Sequence, residues 1–210
     1  MATFNDLYDY TMPYLPGAEP GIIDFHIRRA LREFFKRTTV WRESFQFNTL
    51  APSPDPVPTY QLIPTGGAEV ASVLSVVIAD RWCSSRAEEQ RDPQVRPAKP
   101  DSWYNLLPQV IYLYPPPDAV YAVKIEAALT LPITGTRDFP DNVMQEHCES
   151  IAAGAISGMM LMPGKPWSKT DAAATYSRIF GSAMRDLRSK LRDGGQPNVS
   201  TFTAARRFGV

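Results

Sequence analysis

Only two cysteines, Cys83 and Cys148, and two histidines, His26 and His147, occur in the 210 residues. That excludes a disulfide framework and a cysteine-based zinc site, and a reducing compartment is expected. No stretch approaches the roughly 18 consecutive apolar residues of a membrane-spanning helix, so no membrane span is expected. Residues 1–6 lack a basic stretch followed by an apolar one, so no secretory signal is expected. Net charge is missing as well, because 22 basic side chains balance 22 acidic ones. Such a balance argues against nonspecific coating of nucleic acid but leaves local patches open. Hydrophobic residues are not scarce, at 44%. A chain of 23.4 kDa can therefore bury a core as one domain, or as one domain with a large insertion.

Proline is abundant: 20 of the 210 residues, against a usual share of about 5%. Twelve of them fall in residues 52–117, including Pro52, Pro54, Pro56 and Pro58 and the run Pro115, Pro116, Pro117. An interior proline removes a helix donor and clashes with the preceding turn, so long helices are excluded there. The flanks read differently. Thr3 to Asp6 forms a possible capping box for a short helix stopping at Pro13. After a turn at Pro16-Gly17, Ile23, Ile27, Ala30, Leu31 and Phe34 recur at helical spacing and predict a helix over about 21–37.

The middle, about 40–135, reads as strands. Trp41, Glu43, Phe45 and Phe47 alternate with Arg42, Ser44 and Gln46, the period of a half-buried strand. Further strands are predicted at 60–63, at 70–78, at 103–107, at 110–114 and at 121–130. Residues 82–99 are polar and poorly patterned, and read as a long excursion. A small antiparallel sheet or sandwich inserted between helices fits this order.

Helix returns at Pro140 and is expected to run to Met162, with Val143, Cys148 or His147, Ile151, Ala155 and Met159 on one face. Ala152, Ala153, Gly154, Ala155, Ser157 and Gly158 crowd it with small residues, which suit close helix approach within the chain or between subunits. A second capping box, Ser168 to Asp171, opens a helix to about Arg192. Its expected apolar face carries Ala172, Tyr176, Ile179, Phe180, Ala183, Leu187 and Leu191. Gly194-Gly195 ends it. Residues 196–210 are short and polar, and read as an extended arm. The fold class is therefore α+β: a helical bundle of N-terminal helices (1–39) and two long C-terminal helices (136–195). An antiparallel sheet or sandwich (40–135) is inserted into it and an extended arm (196–210) follows.

No catalytic constellation can be assembled. His147 and Cys148 are neighbours, and successive residues of a helix point about 100° apart, so they form no thiolate–imidazole pair by themselves. Glu146, His147 and Glu149 lack the i,i+4 histidine pairing of helical zinc sites. Residues 163–166 have no Ser or Thr in the phosphate-loop position. No enzyme activity, cofactor or metal is expected.

Charge distribution carries more. Net charge is −4 over 1–27, +5 over 28–42, −6 over 43–177 and +5 over 178–210. The basic blocks suit nucleic acid, a solvated helix face, or the acidic face of a neighbouring subunit. Together with the small residues they nominate Arg28, Arg32, Lys36, Gly154, Gly158 and Arg185 as subunit-interface candidates. In the tail, Phe202, Arg206, Arg207 and Phe208 are residue types enriched at binding hot spots, which suits an arm docking into a partner.

Several segments together resemble the head-to-tail adaptor (connector) proteins of tailed bacteriophages, of the short-tailed type. They are residues 28–38 with Trp41-Arg42, Gly67-Ala68-Glu69-Val70 leading a strand, and Phe139-Pro140-Asp141 opening a helix. Residues 149–155 and 162–167 complete the set, while 82–100 match nothing in it. The resemblance implies a virion protein made in the host bacterial cytoplasm: a homo-oligomeric ring, typically of twelve subunits, beneath the portal. Its partners would be the portal protein and a tail nozzle or tail tube protein, with double-stranded DNA passing through the lumen. It also implies that the C-terminal arm, with Phe202, Arg206, Arg207 and Phe208, docks onto the portal. A tail-completion or stopper protein one layer lower, and a small DNA-binding module using residues 28–42, are the alternatives.

Overall fold

A computed structural model describes residues 2–50, 59–87, 96–135 and 138–192. The fold is α+β. Helix α1 (Phe4–Thr11) continues into a 3-10 turn (Met12–Tyr14) and is followed by α2 (Pro20–Thr38). Seven strands come next: β1 (Arg42–Asn48), β2 (Thr59–Gln61), β3 (Glu69–Ile78), β4 (Arg81–Ser85), β5 (Ser102–Leu107), β6 (Val110–Tyr114) and β7 (Ala122–Thr130). Helices α3 (Asp141–Met160) and α4 (Thr170–Arg192) close the order.

Local chemistry sets the helix ends. The Thr3 backbone N–H donates to the Asp6 carboxylate at 2.6 Å, as the capping box requires. Pro20 occupies the first position of α2, where its missing N–H is harmless. Thr39 then leaves that helix in the left-handed region, with φ 54°. The expected capping box at Ser168 is replaced by a longer-range contact, for the Ser168 hydroxyl donates to the Met160 carbonyl at 3.4 Å. It thereby closes the loop between α3 and α4.

Ile23, Ile27, Ala30, Leu31 and Phe34 are all buried, as their spacing predicts, and Phe35 joins them. Phe34 sits where three helices meet, with its ring 6.4 Å from Phe180 of α4 and 5.4 Å from His147 of α3. Burying such a side chain contributes about 1.5–3 kcal/mol. The expected face of α4 holds at Phe180 and Leu187, with Ala172, Tyr176 and Leu191 packed against the core, and fails at Ile179. Ala173, Phe180, Met184 and Leu187 are its buried residues, while Ile179 is 47% exposed. Close approach explains the small residues of α3. A Cβ on Gly154 would meet the Phe180 ring at 3.0 Å, and one on Gly158 would lie 2.6 Å from His26 Nδ1.

Strand order is β1-β7-β3-β4-β5-β6-β2 in one curled sheet. Antiparallel pairing was expected throughout, and one pair departs from it: β4 runs parallel to β5, with Ser84 opposite Ser102 and Ser85 opposite Trp103. A parallel step needs a crossover, and the stretch between Ser85 and Ser102 supplies it. The excursion expected over 82–99 is therefore shorter at its start, where β4 lies. That strand follows β3 through a two-residue turn in which Ala79 and Asp80 have φ of 45° and 63°. Left-handed conformation at both turn residues matches strand twist, but the turn carries no glycine to announce it.

The two edge strands meet. Phe47 of β1 stacks on Tyr60 of β2 at 5.0 Å, and the Leu50 N–H donates to the Tyr60 hydroxyl at 3.3 Å. Curling of this kind shields edges that would otherwise pair with other chains. The sheet encloses its own core of Val76, Ile78, Ile111, Leu113, Val123, Ile125, Ala127 and Leu129, separate from the helical core. Trp41 packs against both cores and its ring lies 5.2 Å from Phe35.

Two glycine substitutions should act with opposite signs. Gly158→Ala forces a Cβ into the His26 ring and should destabilise by about 1–3 kcal/mol. Gly181→Ala in α4 has open space around it, and should stabilise by about 0.5–1 kcal/mol through helix propensity. Chemical denaturation of both variants checks the pair.

Candidate functional site

The basic stretch of α2 divides by partner. The Arg28 guanidinium donates to the carbonyls of Pro132 at 3.1 Å and Gly135 at 3.3 Å, and lies 4.9 Å over the Phe4 ring. Arg32 donates to the Leu131 carbonyl and pairs with Glu69 at 3.2 Å. Both arginines therefore hold the chain where it leaves β7 on its way to α3, satisfying carbonyls that have left the sheet ladder. The Thr130 hydroxyl adds a bond to the Arg32 carbonyl at 3.5 Å. Arg37 pairs with Glu33 at 2.9 Å, and Arg42 with Glu126 at 3.3 Å. Arg29 and Lys36 are exposed, and so is Arg185 on α4.

The other nominated residues are scattered. Gly154 and Gly158 face Phe180 and His26 of their own chain. Burial, reinforced by Arg29, pushes the His26 imidazole below its usual pKa. Phe202, Arg206, Arg207 and Phe208 lie outside the described residues. His147 and Cys148 meet different neighbours. The imidazole lies against Phe34 and 3.7 Å from Glu146, while Cys148 interacts with the Tyr10 hydroxyl and raises its pKa. Among the described residues, no three His, Cys, Asp or Glu side chains gather as a metal site, and no helix is long and apolar enough to cross a membrane.

Two concave surfaces stand out that the sequence did not single out. One is a groove of about 390 Å³ between α1, its 3-10 extension, α3 and α4. Tyr10, Pro13, Tyr14, Tyr176 and Ile179 form its walls, Ala152, Ala153 and Ile156 its floor, and Asp9 and Glu149 its acidic groups. Tyr14 and Tyr176 meet edge to face at 5.7 Å, and burial raises the Tyr176 pKa. The other is a hollow of about 450 Å³ on the sheet, where Trp82 stands beside Arg42, Glu43, Lys124 and Glu126. Trp82 is 71% exposed, unusual for so large an apolar side chain. A signal for the groove was present: Tyr8, Tyr10 and Tyr14 crowd an acidic segment without basic residues.

Residues 2–204 match the family described as SU10 adaptor protein. The chain belongs to that family. It is a phage adaptor, and an adaptor interacts with head and tail components. No curated protein gives a match to the chain. The matched range takes in Phe202 but stops short of Arg206, Arg207 and Phe208. The groove and the Trp82 hollow are both open on the surface of this phage adaptor. The arginine clasp serves a prior need by fixing the sheet to the helices that carry the groove.

The clasp can be tested within this phage adaptor. Arg32→Ala leaves the Leu131 carbonyl without its donor and should destabilise by about 1–3 kcal/mol. Glu69→Gln removes only a half-exposed ion pair and should cost less than about 1 kcal/mol. Urea midpoints of the two variants against the parent check the ranking.

Proposed function

We propose that this phage adaptor is the subunit of a closed ring that joins the capsid portal to the tail and surrounds the path of the DNA, in a short-tailed phage. The single observation that carries this reading is the adaptor-family match, which spans residues 2–204. Three features support it. The helices and the sheet have separate cores, so the helical layer can contact neighbouring subunits while the sheet projects toward other components. Arg28, Arg32, Arg37 and Arg42 are all engaged within the chain. That leaves few cations of this block to grip passing DNA, and each phosphate contact would slow its passage. Third, residues 196–210 carry Phe202, Arg206, Arg207 and Phe208, the aromatic and arginine anchors of a docking arm.

In this reading the arm reaches the portal, a tail nozzle or tail tube protein binds below, and the protein acts in the virion at the head–tail junction. The role is structural: DNA ejection passes through the ring, and no cofactor or catalytic step belongs to it. Twelve copies match the ring size that the resemblance implies.

Deleting residues 197–210 tests the arm. The truncated chain should keep the parent's thermal unfolding midpoint and lose co-sedimentation with purified portal rings. Undiminished binding to portal by the truncated chain would contradict the docking role.

A further inference from the structure

The groove beside Tyr14 and the outer face of α2 are complementary, and they face away from each other. On α3, Glu149, Ala152, Ala153 and Ile156 lie roughly 120–180° round the helix from Gly158, counting about 100° per residue. Gly158 meets His26 of α2, so the groove opens on the far side of α3 from α2. On α2, Phe25, Arg29 and Lys36 follow at spacings of four and seven residues. By the same count they lie roughly 180° from the buried Ile23, Ile27 and Phe34. Phe25 is 62% exposed and heads this ridge.

Charge and shape agree. The groove has largely aromatic walls, an apolar floor of Ala152, Ala153 and Ile156, and the carboxylates of Asp9 and Glu149. The ridge presents one aromatic ring followed by two cations, Arg29 and Lys36. The elements match on a larger scale, for α1 and its 3-10 extension carry only acidic charge, Asp6 and Asp9, whereas residues 28–42 carry net +5. Two unlike surfaces on opposite sides of one subunit make a heterologous contact, which closes into a ring when the rotation per step permits.

We propose that the α2 ridge of one copy seats in the α1–α3–α4 groove of a second copy, with Phe25 against Tyr14, Tyr176 and Ile179, and with Arg29 and Lys36 beside Asp9 and Glu149. This deepens the ring reading and rests on it, because it names the surfaces through which subunits join side by side.

Cysteine cross-linking tests the contact. A chain carrying Phe25→Cys and Ile179→Cys in a Cys148→Ser background is oxidised mildly, both free at high concentration and after addition to purified portal rings. The expected product is a ladder of multimers from the double variant and none from either single variant. Arg29→Glu should reduce the ladder about tenfold or more, and a second change, Glu149→Arg, should restore it. A dimer from a single-cysteine chain would show a two-fold contact and overturn the proposal. So would a cross-link between residue 179 and portal polypeptide, which would assign the groove to the portal. A missing ladder with intact portal binding overturns the ridge-and-groove contact alone. A ladder from the free protein without portal binding upholds the contact and contradicts the portal reading.

Discussion

The whole arrangement depends on how the sheet, inserted between α2 and α3, is tied back to the helices. The chain leaves α2 at Thr38, builds seven strands, and returns to α3 at Asp141. Arg32 and Arg28, one turn apart, hold the carbonyls of Leu131, Pro132 and Gly135 on the return path. Trp41, packed against both cores, holds the outgoing path. Without these contacts two separately cored layers would be joined by flexible connections. With them, a surface on the helices and a surface on the sheet keep a fixed relation, which a protein linking two larger assemblies requires.

That constraint explains the use of the charges. Four of the six cations in residues 28–42 are directed at groups within the chain, which leaves Arg29 and Lys36 to mark the outer face of α2. The formal charge of zero is thus composed of local balances, some made inside the subunit and others, in the proposed ring, between subunits. The sheet solves a different problem. By curling until Phe47 stacks on Tyr60, it brings its two edge strands together, an arrangement that blunts open sheet edges.

Much of this was legible in residue spacing. Ile23, Ile27, Ala30, Leu31 and Phe34 announced the buried face of α2, and Glu43, Phe45 and Phe47 the inner face of β1, because local periodicity and burial agree there. β4 stayed hidden: its turn uses Ala79 and Asp80, not glycine, and it has few apolar residues. The face of α4 was misjudged at Ile179, where hydrophobicity marked a groove wall and not the core. The sequence nominated Arg28 and Arg32 as interface cations, and it carries no signature of their partners within the chain, backbone carbonyls about a hundred residues away. Gly154 and Gly158 read as close-approach positions, and the structure supplies the neighbours, Phe180 and His26. The resemblance to phage adaptors rested on ordered segments across the chain, and the family match spans the same length.

The most direct test of the central claim is an averaged image of the head–tail junction in the assembled particle, with this protein located by a tag on the sheet. The account predicts a closed ring of copies beneath the portal, with the helical layers side by side as a continuous wall and DNA passing through the centre. Isolated copies, or a ring located away from the portal, would contradict it.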